Sequence, residues 1–307
     1  MRIKSSDILT RFPLMSFFIL AYALNIAITV AQLYILKIPQ TRPIAILQVM
    51  TPTISAVILS ARIGGRAEVT RLLSGFTRWK VSWRWYLAAF MMTGFPLGIA
   101  IVYLLLVNPI GGLNPDATVW SLLGLLGFTF LSGPLSEEAG WRGFALPRLQ
   151  EKHSALTSSL ILGLLWAGWH IPFYFEPGYA ANGMPLPIFM IVVTALAILF
   201  TWIYNNSGGS LLLTMLAHFF FNFSSVFLVQ EFGLLPPMLL YLGGGGLMML
   251  IIVWVIIYFG PGNLSRKAPS ELPIHPSPEA NAKYGLPPVL RVKNEGGLAR
   301  SRERRSN

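Results

Sequence analysis

Cysteine is absent from the 307 residues, which excludes disulfides, a thiolate nucleophile, an iron–sulfur cluster and any Cys-based zinc site. Charge is scarce: 11% of residues carry it, against roughly 25% in ordinary globular domains. Acidic groups are the scarcest, with two Asp (Asp7 and Asp116) and ten Glu, which disfavours any chemistry built on paired aspartates within a membrane. What is plentiful is apolar. Hydrophobic residues make up 54% of the chain, in successive runs of about 20, each long enough to cross ~30 Å of hydrocarbon at ~1.5 Å per residue. A water-soluble fold is ruled out.

The runs predict an all-α, polytopic membrane protein with about eight transmembrane helices, at roughly 13–36, 43–61, 83–107, 119–150, 155–175, 185–204, 209–230 and 235–259. The fourth is longer than one crossing requires and carries Gly133-Pro134, so a kink or break is expected there. Residues 1–117 then hold the N-terminal transmembrane helices and a basic cytoplasmic loop. Residues 118–230 form the core that carries the chemistry, and 231–259 the last span. Residues 260–307, with Pro269, Pro273, Pro276, Pro278, Pro287 and Pro288 among Ser, Lys, Arg and Glu, read as a disordered basic cytoplasmic tail. The apolar run from Pro13 is longer than a secretory h-region, so the first span is expected to stay uncleaved.

With both termini in the cytoplasm, 21 of the 23 Lys and Arg residues fall in cytoplasmic segments, Arg142, Arg148 and Lys152 among them, and only Lys37 and Arg42 lie outside. That asymmetry is what the positive-inside rule requires. It also accounts for the net charge of +11 through topology and contact with the lipid bilayer, so no nucleic-acid partner is expected. The run Gly243 to Gly246 lacks a following Lys-Ser/Thr and is expected to serve close helix packing instead of phosphate binding.

Ionisable groups at bilayer depth cost about 2.5–3.5 kcal/mol each and by default mark function. The fourth helix supplies Glu137, Glu138 and Arg142, the fifth His170, and the seventh His218 and Asn222. Glu138 and Arg142 are four apart and share a helix face, so they are expected to form a structural ion pair. Glu137 points about 100° away, which leaves its carboxylate free to act as a general base. His218 and Asn222 are also four apart, two neutral donors suited to stabilising an oxyanion. Counted from the turn between helices four and five, and from the start of the seventh, these groups lie ~14–24 Å deep at 1.5 Å per residue, so convergence is possible. Trp166 and Trp169 are expected to pack, and Glu176 and Glu231 to sit solvated at helix ends; His153 and His275 are given no role.

Glu137-Glu138-x-x-x-Arg142, Trp166-x-x-x-His170 and His218-x-x-x-Asn222, in that order on successive helices, closely resemble the CPBP family, the CAAX-processing and bacteriocin-processing intramembrane proteases also called the Abi family. The resemblance covers roughly residues 118–230. One departure stands out: the second motif usually opens with Phe, and here Trp166 takes that place. The resemblance implies an enzyme, an intramembrane endopeptidase acting on a membrane peptide or lipidated protein in a bacterial cytoplasmic membrane. Glu137 and His170 would activate water, His218 and Asn222 would hold the carbonyl oxygen, and Glu138 with Arg142 would fix the fourth helix. A metal-free glutamate mechanism is favoured over the alternative, a divalent metal such as zinc on Glu137, His170 and His218.

Two other functions compete. A transporter or channel could use the same buried Glu and His residues, but no inverted repeat is visible and the ionisable groups cluster in one half of the chain. A non-catalytic membrane immunity or scaffold protein could keep the fold alone. Rhomboid-type serine chemistry is disfavoured because no Gly-x-Ser-x-Gly occurs. Substrate sequence and oligomeric state are not encoded in any feature of this kind.

Overall fold

The computed structural model describes residues 8–107, 118–176, 184–228 and 237–273, and within them the secondary structure is helical, without strands. Six helices are long and apolar enough to cross a membrane. They are α1 (Pro13–Leu36), α4 (Trp83–Leu106), α5 (Val119–Gln150), α6 (Ala155–Phe175), α7 (Leu186–Asn206) and the Leu242–Phe259 part of α9 (Pro237–Phe259). A seventh is counted if α2 (Arg42–Val49) and α3 (Thr51–Leu73), which meet at a 42° bend, form one span. The expected seventh span, 209–230, corresponds to α8 (Leu211–Val226), apolar but shorter than a full crossing. The membrane-bundle expectation holds, whereas the count of eight is not reached on these criteria.

Helix α7 is the centre of the bundle, with 72% of its most apolar stretch buried, against 22% for α9. Around it the outer helices turn apolar side chains outward: Leu105, Leu106 and Ile257 are all exposed. Such a large outward apolar surface belongs against lipid. Close approach inside the bundle depends on small residues. A Cβ at Gly140 of α5 would stand 2.6–2.7 Å from the backbone of Pro52, so only glycine lets α5 rest on the first turn of α3.

Three sequence expectations change here. Arg142 is fully buried, so it drops out of the cytoplasmic tally; the depth of a charge depends on which way its helix faces, which loop counting ignores. The tail does not begin at Gly260. The N–H groups of Ala155 and Leu156, left without partners at the start of α6, donate to the carbonyls of Gly262 and Pro261 at 2.7 and 3.1 Å. Asn205 and Asn206 at the end of α7 donate to the carbonyls of Asn263 and Leu264 at 2.7 and 2.8 Å. Leu264 and Leu272 are buried, so residues 260–273 form a strap over the helix ends. The remainder of the expected tail, with His275, lies outside the described residues.

Glu176 is the third. Far from being solvated, it is 3% exposed and accepts hydrogen bonds from Gln40, Gln48 and Thr29. It thereby ties the end of α6 to α1 and α2. Burial pushes its carboxyl above the ordinary 4.5, against the opposing pull of the Gln48 and Thr29 donors. Glu231 lies outside the described residues.

Candidate active site

The expected break in the fourth span is present, and it builds the site. Ser132 and Gly133 leave helical geometry, and Gly133 takes φ 155°, ψ −74°, where a side chain is strained. Pro134 has no N–H to continue the ladder, and Ser136 Oγ donates to the carbonyl of Leu131 across the gap. Two π-helical stretches, Leu131–Leu135 and Ala139–Ala145, flank the single turn Ser136–Glu138. Wide turns of this kind recur at functional sites. Glu137 and Glu138 sit on that turn, 2% and 0% exposed.

Their side chains part, as the spacing predicts. Glu138 Oε1 accepts from Arg142 Nη1 and from His218 Nδ1, each at 2.9 Å. The Arg142 guanidinium is packed over the rings of Trp166 and Phe200, 4.2 and 4.8 Å from their centroids. Glu137 turns the other way. Its Oε2 accepts the indole N–H of Trp141 at 3.0 Å and that of Trp166 at 2.5 Å. Its Oε1 faces a point shared with the seventh helix: a methyl group on Gly133 would stand 3.3 Å from Glu137 Oε1, 3.4 Å from Asn222 Nδ2 and 3.4 Å from His218 Nε2.

Three of the four predicted site residues therefore surround one position. The fourth, His170, ends the α-helical part of α6 and donates from Nδ1 to the Trp166 carbonyl at 2.8 Å, leaving Nε2 for another partner. The Trp166 ring lies beside both imidazoles, 6.0 Å from His170 and 5.3 Å from His218 between centroids. The turn carrying His170 is held from α1, where Tyr22 donates to the Leu165 carbonyl and Asn25 Nδ2 to the Trp169 carbonyl, the latter at 2.9 Å.

One electronic expectation is corrected. A carboxylate only accepts, so His218 donates to Glu138 through Nδ1. In a neutral ring Nε2 is then an acceptor, and it donates only when the ring is charged. His218 and Asn222 are not two neutral donors. With His218 charged, Glu137, Glu138, Arg142 and His218 sum to zero. The same zero is reached with His218 neutral and the proton on Glu137. Neutrality of the four groups thus requires one proton beyond two carboxylates, a guanidinium and a neutral imidazole, and any other count leaves an uncompensated charge at a depth where that is costly.

The zinc alternative fits poorly. Among the described residues no three His, Asp or Glu side chains are arranged to hold a metal ion. Both imidazole Nδ1 atoms and Oε2 of Glu137 are engaged, so the atoms left for the reacting position are the two Nε2 atoms and Oε1.

A break in a membrane helix that gathers a carboxylate, an imidazole and a carboxamide at one buried point defines a polytopic membrane protein with a hydrolase-like centre. Residues 118–224 match the family model described as type II CAAX prenyl endopeptidase Rce1-like. Over 107 residues the chain is 29% identical to CAAX prenyl protease 2 of Methanococcus maripaludis, which covers 33% of this chain and 40% of that relative. Over that stretch the motif-bearing core is similar to CAAX-processing intramembrane proteases, and the protein is an integral membrane protein. The chain spans 40% of the length of the curated relative it matches.

Sequence reasoning missed Gly133, Trp141 and Trp166 as parts of the site. A signal existed for two of them: Gly133 belongs to the expected break, and Trp141 follows Glu137 by four residues, on the same face.

Proposed function

We propose that the protein is an intramembrane endopeptidase that hydrolyses a peptide bond of a membrane-associated or lipidated peptide without a metal ion. The observation that carries this reading is the convergence of Glu137 Oε1, His218 Nε2 and Asn222 Nδ2 on one position beside the Gly133 break. A water held by Glu137 and His170 gives its proton to Glu137 Oε1 as its oxygen attacks the carbonyl carbon. The oxyanion accepts from Asn222 Nδ2 and from Nε2 of charged His218, with Glu138 as the imidazolium counter-ion. Collapse expels the amine, which takes the proton back from Glu137. Charge within the cluster and substrate together stays at zero throughout, so no step asks the membrane interior to solvate a new charge. The termini are placed in the cytoplasm, supported by the basic residues of the loops, and the setting that the family resemblance implies is a bacterial cytoplasmic membrane.

The test is cleavage of an internally quenched, farnesylated CAAX peptide by purified protein in liposomes. Glu137→Ala, His170→Ala, His218→Ala and Asn222→Ala are each expected to lose at least ~10²-fold in kcat/KM, the scale of one general base or one oxyanion donor. Turnover is expected to be unchanged by a strong chelator. Full activity of Glu137→Ala overturns the mechanism, and loss of activity on chelation, restored by zinc, overturns its metal-free form.

A further inference from the structure

The indole of Trp166 is buried against the site, yet the proposed reaction leaves it without a task. We propose that Trp166 is a positioning residue for the general base: with Trp141 it holds Oε2 of Glu137 and so turns Oε1 to the reacting position. This rests on the proposed hydrolytic reading and deepens it. An indole N–H can only donate. Two such donors, from helices α5 and α6, end on the same oxygen of Glu137 and not one on each. A carboxylate pinned at one oxygen by two donors has lost the rotation that would exchange its oxygens, and the oxygen left over is the one beside His218 Nε2 and Asn222 Nδ2.

Trp166 is itself immobilised. Its face carries the Arg142 guanidinium at 4.2 Å, and its ring meets Phe200, His170 and His218 edge-on or tilted at centroid separations of 6.1, 6.0 and 5.3 Å. Packing alone asks only for an aromatic ring. The N–H is what Trp adds over the Phe found in the resembling motif, and in this chain it is spent on the catalytic carboxylate. Trp141 is held in turn by Phe17 and Trp169, 5.4 and 5.7 Å away, so the two donors approach from independently packed walls.

The test replaces Trp166, in the full chain, with β-(3-benzothienyl)alanine, which keeps ring size and shape and exchanges N–H for sulfur. With the farnesylated CAAX peptide as probe, kcat is expected to fall about 10- to 100-fold, the scale of one hydrogen bond to a charged group, while KM stays within a factor of two or so. Wild-type kcat in this variant overturns the proposal, and so does an equal rise in KM, which marks a packing role. A second readout does not depend on turnover. In protein labelled with 15N-indole tryptophan, the Trp166 Nε1–H resonance is expected far downfield and shifted by Glu137→Gln; a resonance that ignores Glu137→Gln overturns the proposal. Glu137→Gln protein as active as wild type removes the general-base reading itself. That result is distinct from an inert Glu137→Gln beside a fully active benzothienyl variant, which removes only the positioning role.

Discussion

Replacing Gly133 by Ala separates the site from the scaffold. The backbone there (φ 155°, ψ −74°) is one an L-residue adopts at a cost of about 1–3 kcal/mol. Contacts of 3.3–3.4 Å with Glu137, Asn222 and His218 add a shift of a few tenths of an ångström in each neighbour. A domain with ~5–15 kcal/mol of stability survives that loss mostly folded. Activity does not survive it by the same margin. An oxyanion must come within about 2.7–3.1 Å of its donors, and a methyl carbon at 3.4 Å from both donors and 3.3 Å from the base occupies that volume. Losing one donor alone costs ~10²–10³-fold, so kcat/KM is expected to fall by at least this factor while the thermal midpoint in detergent drops modestly. Gly127→Ala in the same helix is the control, since its added Cβ meets nothing within 4 Å; it is expected to gain ~0.5–1 kcal/mol and keep full activity. Folded Gly133→Ala protein that cleaves the farnesylated peptide as fast as Gly127→Ala would refute the convergence argument.

Glu138→Ala leaves Arg142, which is fully buried, without its hydrogen-bond acceptor and leaves His218 without its counter-ion; a stability loss of ~3–5 kcal/mol is expected by thermal denaturation in detergent, with much of it recovered in Glu138→Leu/Arg142→Met. A loss below that of an ordinary surface substitution would contradict the buried pairing. Because burial raises the carboxyl of Glu176, its charged form penalises the fold at neutral pH, and the penalty is relieved as pH falls through the raised value towards 4.5. Wild type is therefore expected to gain stability relative to Glu176→Gln on acidification, and parallel pH profiles for the two proteins would count against it. Asn206→Ala removes the donor to the Leu264 carbonyl and the acceptor for Ser265, so tryptic cleavage after Arg266 is expected to accelerate; equal rates would show that the strap is held elsewhere.

What the sequence made legible is what a single helix decides. Glu138 and Arg142, four apart, pair at 2.9 Å even though the intervening turn is π-helical, because four residues keep two side chains on adjacent parts of one face in either helix type. Gly133-Pro134 announces a break for backbone reasons that need no tertiary contact. The family resemblance rested on spacings of the same local kind. What stayed hidden depends on how helices are rotated against one another. Trp166 and Glu137 are 29 residues apart, and nothing in either helix's own pattern says that an indole N–H will meet a carboxylate. Glu176 looks solvated at a helix end until α1 and α2 bring Thr29, Gln40 and Gln48 over it. The strap fails on composition: its residues are polar and proline-bearing, but their carbonyls accept from the N–H groups that open α6 and from the side-chain amides of Asn205 and Asn206.

The broken helix and the charge balance are two sides of one constraint. An unbroken α5 would present Glu137 to a neighbouring helix with no free volume beside it, and the three converging atoms would have nothing to act on. Opening the helix at Gly133 lets Glu137, His218 and Asn222 approach one position without a side chain between them, but it also exposes backbone groups to a medium that cannot hydrate them, which is why Ser136 donates across the gap to Leu131. The same medium disfavours a lone carboxylate, so a charged Glu137 must be balanced, and His218, held by Glu138 beside Arg142, is placed to balance it. Removal of the Arg142 charge shifts that balance by one unit. Arg142→Met is thus expected to leave the cluster neutral only with two protons among Glu137, Glu138 and His218 where one suffices in the wild type, so that either one carboxyl is protonated beside charged His218 or both are protonated beside the neutral ring. Either way the base or its partner carries a proton at the wrong stage. Arg142→Met protein that folds is therefore expected to bind the farnesylated peptide with near-normal KM and to turn it over slowly; normal turnover would mean that charge neutrality within the four groups does not govern the reaction.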